Sequence, residues 1–127
     1  MDIILDTHAA IWLFEGNEKM PETTREILND LKNMVYVSIA SVWEVAIKIS
    51  TGKLEFDGGI ENFIDTIYRN EFELLNISPK HIKTVTGLPY IHRDPFDRML
   101  VAQAIVEDMA IMTTDDNIVR YEIKPIW

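Results

Sequence analysis

The chain has 127 residues, of which 47% are hydrophobic and 26% charged, the proportions of one globular domain spanning residues 1–127 and not of a disordered segment. It has no cysteine, which excludes disulfides, thiolate metal sites and cysteine nucleophiles, and no apolar run approaches the roughly 20 residues a membrane-crossing helix needs. With 12 basic against 21 acidic residues the net charge is −9, which argues against passive binding along a nucleic-acid backbone but not against a nucleic-acid enzyme that carries a divalent cation.

Short apolar runs alternate with longer amphipathic stretches. Ile3-Ile4-Leu5, ended by Asp6, reads as a buried strand. Pro21-Glu22-Thr23 opens a helix carrying Ile27, Leu28 and Leu31 at helical spacing. Val35-Tyr36-Val37, ended by Ser38, is a second strand, and a helix beginning at Ser41 and closed by Gly52 follows it. Residues 60–69 carry an apolar stripe of Ile60, Phe63, Ile64 and Ile67. The run from Glu73 to Ile77 is a third strand. Ser78-Pro79 and Asp94-Pro95 each open a helix with proline in its first turn, where the missing donor costs nothing. Ala110-Ile111-Met112 and Glu122-Ile123 complete the strands. Trp12, Phe14, Trp43 and Phe96 are expected in the core. The fold class is α/β, a three-layer α/β/α sandwich around a mostly parallel sheet, whose ligands bind outside the carboxyl ends of its strands.

Those strand ends carry acids. Asp6 follows one strand directly, and Asp115 follows another through Thr113-Thr114. Either alone reads as a helix cap, but two such ends lie on the same side of a parallel sheet. Glu44 sits in the apolar stretch Ser41-Val-Trp-Glu-Val-Ala46, where the plainer reading is a surface pair with Lys48. Asp97 falls in the first turn of its helix, with Asp94 as the cap and Arg98 as an ion-pair partner. Convergence of Asp6, Glu44, Asp97 and Asp115 would form a hard oxygen site selecting Mg²⁺ or Mn²⁺, and that site suits phosphodiester hydrolysis. The acidic excess is concentrated in residues 1–30, whereas Lys80, Lys83, Arg93 and Arg98 make 80–98 the richest basic neighbourhood. Arg93 and Arg98 are therefore the candidate substrate contacts. His8 is read as a partly buried residue at a helix start.

Four stretches in this order resemble the signature blocks of PIN-domain ribonucleases of the VapC toxin type: Ile3-Ile-Leu-Asp-Thr-His-Ala9, Val37-Ser-Ile-Ala-Ser-Val-Trp-Glu44, His92-Arg-Asp-Pro-Phe-Asp-Arg-Met-Leu-Val-Ala-Gln-Ala104 and Met112-Thr-Thr-Asp115. The resemblance implies a PIN-like sandwich and a metal-dependent endoribonuclease toxin of a toxin–antitoxin pair. It implies Mg²⁺ or Mn²⁺ on Asp6, Glu44, Asp97 and Asp115, with Thr7, Thr113 and Asp94 in support. The Thr-x-Asp pattern picks Asp115 over the adjacent Asp116. The implied partners are an RNA substrate, a cognate antitoxin and a second copy of the chain, with DNA reached only through the antitoxin and no membrane. Asp2 stands where a secretory signal would carry positive charge, so the expected location is the cytoplasm. The alternative is a receiver-type phosphoacceptor domain with an acidic Mg²⁺ pocket. It is disfavoured because the middle strand is followed by Asn76 and not by an acid.

Overall fold

The computed structural model describes all residues, Met1–Trp127. Its chain order is β1 (Asp2–Leu5), α1 (Thr7–Glu15), α2 (Glu22–Asn29), β2 (Met34–Ser38), α3 (Ile39–Ser50), α4 (Gly59–Arg69), β3 (Glu73–Leu75), α5 (Pro79–Thr86), α6 (Pro95–Glu107), β4 (Ala110–Met112), a single 3₁₀ turn (Ile118–Arg120) and β5 (Lys124–Ile126). The five strands form one sheet in the order β3-β2-β1-β4-β5. Every adjacent pair is parallel, one step beyond the mostly parallel sheet expected. The order also sets the receiver alternative aside, since that fold runs 2-1-3-4-5.

Strand residues alternate between the two helical layers, as a pleated strand requires. Ile3 and Leu5, with Val35 and Val37, pack against residues of α1, α2, α3 and α4 such as Ala10, Leu28, Val45 and Phe63. Ile4 and Ile111 face the other way and pack against Leu100, Val101 and Ala104 of α6 with Ile118 and Tyr121. Both faces are covered, which is why the strands read as unbroken apolar runs and not as alternating ones.

The chain builds β1, β2 and β3 outward on one side, then crosses back to place β4 and β5 on the other side of β1. The order of strands therefore reverses between β1 and β4, and the crevice for ligands opens at their carboxyl ends. Leu5 pairs with both Val37 and Met112, so Asp6, Ser38 and Thr113 emerge side by side. The Asp6 amide donates to the Met112 carbonyl at 3.1 Å, which extends the ladder to the first candidate acid.

Four expectations about the elements need correction. The third strand spans only Glu73–Leu75 and stops short of Ile77. The helix opened by Pro21 begins at Glu22 but stops at Asn29, leaving Leu31 94% exposed. The Asn33 side chain donates to the Ile27 carbonyl and Asp30 accepts from the Lys32 amide, and such local bonds compete with another helical turn. The third helix is capped by Ser38, whose hydroxyl accepts from the Ala40 amide at 3.0 Å, so Ser41 lies inside it and is buried. The last strand is Lys124–Ile126, not Glu122-Ile123, because Tyr121 and Ile123 turn into the core instead. Pro125 fits there because β5 is an edge strand.

Candidate metal centre

Asp6 joins β1 to α1 and is only 4% exposed. Its Oδ1 accepts from the Ala9 amide at 2.7 Å, so the cap reading is realised. Its Oδ2 accepts from the Thr113 hydroxyl at 2.5 Å. Thr113 in turn accepts from the Asp115 amide at 3.0 Å, so one hydroxyl ties the end of β1 to the residues after β4. Asp115 is half-buried and caps the 3₁₀ turn, accepting from Asn117 and Ile118. Asp116 is exposed.

Thr7 makes the matching link on the other side. Its hydroxyl donates to Glu44 Oε1 at 2.7 Å and shares a hydrogen bond with the Ser41 hydroxyl at 3.0 Å. Glu44 is buried at 6% exposure and also pairs with Lys48 Nζ through Oε2 at 3.0 Å. The two readings of Glu44 are thus both present: a helix-surface pair on one oxygen and an interior bond on the other. Asp97 stands at the start of α6, where Asp94 caps the helix by accepting from the Phe96 and Asp97 amides. Asp97 Oδ2 accepts from His92 Nε2 at 3.1 Å.

Electrostatics join these acids into one neighbourhood. Burial pushes Asp6 above the usual carboxylate range, its two hydrogen bonds and the nearby His8 oppose that shift, and the Asp115 charge adds to it. Burial likewise raises Asp97, to about 7, against the His92 hydrogen bond and with the charges of Asp94, Asp115 and Glu44. Asp115 acts on both, and Glu44 acts on Asp97. The four acids named from the sequence therefore lie around one mouth of the sheet. They are not drawn into a tight cage, for no three acidic or histidine side chains are gathered closely enough to enclose an ion. Each is held by its own protein partner, which keeps like charges apart.

The donor set fits a hard divalent cation. All four candidate groups are carboxylates, and the ion pairs of the fold leave Asp6 with no cation within pairing distance and Asp97 facing only the His92 ring. A carboxylate buried without a cation is costly unless it is protonated or metal-bound.

Arg98 departs from expectation. It is 5% exposed and donates to the Pro89 carbonyl, the Val85 carbonyl and the Tyr121 hydroxyl, with its guanidinium over the Tyr90 ring. It is an interior clamp on the 85–90 segment, not a partner of Asp97 and not a substrate contact. Arg93 is exposed beside the mouth. His8 is exposed, not partly buried, and Trp43 is 62% exposed rather than core, meeting Phe96 edge-on at 5.4 Å. Phe14 is partly buried and packs against the core, edge-on to Phe63. Sequence reasoning did not name Tyr121, and it read His92 only as the first residue of the third signature block, whereas the structure sets the His92 ring between Asp97 and the Tyr121 hydroxyl.

A family model described as the PIN domain matches residues 3–124. No curated protein matches the sequence significantly. Among solved structures the chain is similar to one in the crystal structure of VapBC2 from Rickettsia felis bound to a DNA fragment from their promoter, with a TM-score of 0.76 at 16% identity, covering 99% of this chain and 98% of that one. It is similarly close to a chain of DNA-bound VapBC from Salmonella typhimurium, with a TM-score of 0.71, 16% identity and 99% and 97% coverage. A chain of VapBC-1 from nontypeable Haemophilus influenzae gives a TM-score of 0.70, 16% identity and the same coverage of 99% and 97%. At that identity the likeness speaks for the fold, and it extends over nearly the whole of each chain. The strand order, the crevice between β1 and β4 and the matched span agree: the chain belongs to the PIN domain family.

Proposed function

We propose that the protein is a Mg²⁺- or Mn²⁺-dependent endoribonuclease, the toxin of a toxin–antitoxin pair. The observation that carries this reading is the pair Asp6 and Asp97: both pushed toward protonation by burial and neighbouring acids, at the crevice where the strand order reverses. Asp6, Glu44, Asp97 and Asp115 would hold the cation, which when bound polarises the phosphodiester and makes water a stronger nucleophile. Thr113 and Thr7 orient Asp6 and Glu44 through their hydroxyls. Asp94 fixes the first turn of α6 and so the position of Asp97. Arg93, exposed beside the mouth, meets an RNA phosphate.

The VapBC likenesses support a cognate antitoxin as partner, with promoter DNA reached through it, and the reading includes a homodimer working in the cytoplasm. No helix is long and apolar enough to cross a membrane. The test is cleavage of RNA with and without Mg²⁺ by the purified protein and by Asp6→Asn and Asp97→Asn. Each variant is expected to lose metal-dependent cleavage while keeping its circular dichroism. Full activity in both would refute the site. Expression alone should arrest growth, and coexpression of the cognate antitoxin should restore it.

A further inference from the structure

Asp97 occupies the third position of α6, where an acid ordinarily reaches back to the backbone of the capping residue. Here it does not. Its Oδ2 accepts from His92 Nε2 at 3.1 Å, while Oδ1 accepts no hydrogen bond from the protein. The opposite ring nitrogen of His92, Nδ1, lies 2.9 Å from the Tyr121 hydroxyl. That hydroxyl lies 3.1 Å from Arg98 Nη1, and Tyr121 is 4% exposed.

The direction of these bonds follows from what each group can do. A guanidinium only donates, so the Tyr121 oxygen accepts from Arg98. The single phenolic hydrogen is then free to go to His92 Nδ1, which leaves the ring hydrogen on Nε2, facing Asp97. Arg98 is itself fixed by the Pro89 and Val85 carbonyls and by the Tyr90 ring. A buried arginine thus sets a tyrosine, the tyrosine sets a histidine tautomer, and the histidine holds one oxygen of a carboxylate.

The geometry points to His92, backed by Tyr121 and Arg98, as a positioning residue that locks the Asp97 carboxylate with Oδ1 presented to the crevice. The inference rests on Asp97 being a metal ligand. Outer partners of this kind fix the ligand's orientation, and their loss typically weakens metal affinity by roughly ten- to a hundredfold. The sequence neighbour Arg98 therefore serves Asp97 by the long way round, through two other side chains, and not by a direct ion pair.

The test measures Mn²⁺ affinity by electron paramagnetic resonance on the intact protein, alongside kcat and KM for RNA. His92→Ala should weaken Mn²⁺ binding about ten- to a hundredfold and lower kcat, with KM for RNA within about twofold. His92→Gln, whose amide offers a hydrogen near the place of Nε2, should recover most of the affinity. Tyr121→Phe should fall between them, and it serves if the alanine variant does not fold. Nitrogen NMR of the metal-free wild type should show His92 carrying its hydrogen on Nε2. A ring bare at Nε2, or Mn²⁺ affinity unchanged in His92→Ala and Tyr121→Phe while Asp97→Asn abolishes it, overturns the relay and leaves the metal site standing. Failure of the wild type to bind Mn²⁺ overturns both.

Discussion

The two ends of α6 each carry a histidine–carboxylate pair, and the pairs do different work. At the carboxyl end His81, 2% exposed, meets Glu107 at 2.9 Å, and its other ring nitrogen accepts from the Ser78 amide. That ring completes the cap of α5 and ties α5 to α6. At the amino end His92 meets Asp97 at 3.1 Å. In both, one ring nitrogen is engaged locally and the other holds an acid. What differs is the surroundings. Asp97 is crowded by Asp94, Asp115 and Glu44 and is pushed up to about 7, whereas the side chain of Glu107 is 39% exposed. The same pairing is a clasp where its acid meets water, and part of the proposed site where its acid is half-buried among other acids.

Exchanging the effects of the two histidines would break this contrast. His81→Ala should lower the melting temperature by several degrees, because the half-buried Ser78 amide loses a hydrogen bond worth about 1 kcal/mol, the exposed Glu107 loses a weaker one, and the buried ring leaves a hole behind. Cleavage per folded molecule should stay at the wild-type rate. A His81→Ala protein that folds normally but loses activity would show that the carboxyl end of α6 belongs to the site as well.

The pH dependence of stability sharpens it next. Asp97 rises from the ordinary value of 3.8 to about 7, and Asp6 is raised in the same direction. Between those values the folded protein holds more protons than the unfolded chain, so metal-free stability falls as pH climbs from about 4 toward 7. Asp97→Asn should flatten that decline and melt higher than wild type at pH 8 without metal. Added Mg²⁺ should stabilise the wild type more than the variant. Scanning calorimetry across pH checks both signs, and a wild-type stability that rises toward pH 8 without metal would contradict them.

The smallest effect is expected at Arg93. Arg93→Ala should raise KM for RNA a fewfold and make the salt slope shallower by about one, as for the loss of one phosphate contact. An unchanged slope would put the anion surface elsewhere.

Much of this was legible in the sequence. Unbroken apolar runs gave β1, β2 and β4, because strands buried on both faces have no polar register to show. Proline in the first turn marked α5 and α6. The acids at strand ends pointed to the candidate site because a parallel sheet puts those ends together. Other features lay beyond local pattern. Glu122-Ile123 carries a strand-like composition, but Tyr121 and Ile123 are drawn into the core and the ladder forms one step later. Leu31 continues the helical spacing, yet side-chain bonds from Asn33 and Asp30 end the helix first. Arg98 stands next to Asp97 in sequence, but a helix directs successive side chains 100° apart, so its partners come from the 85–90 segment and Tyr121. The relay through His92 joins residues 29 apart and could be seen only in three dimensions.

The most direct test of the central account is the anomalous diffraction of crystals soaked in Mn²⁺. The account predicts one strong peak at the carboxyl ends of β1 and β4, bound by Asp6 and Asp97 and approached by Glu44 and Asp115 directly or through water. No peak at saturating Mn²⁺, or a peak held by other residues while Asp6 keeps only its Ala9 and Thr113 bonds, would contradict it.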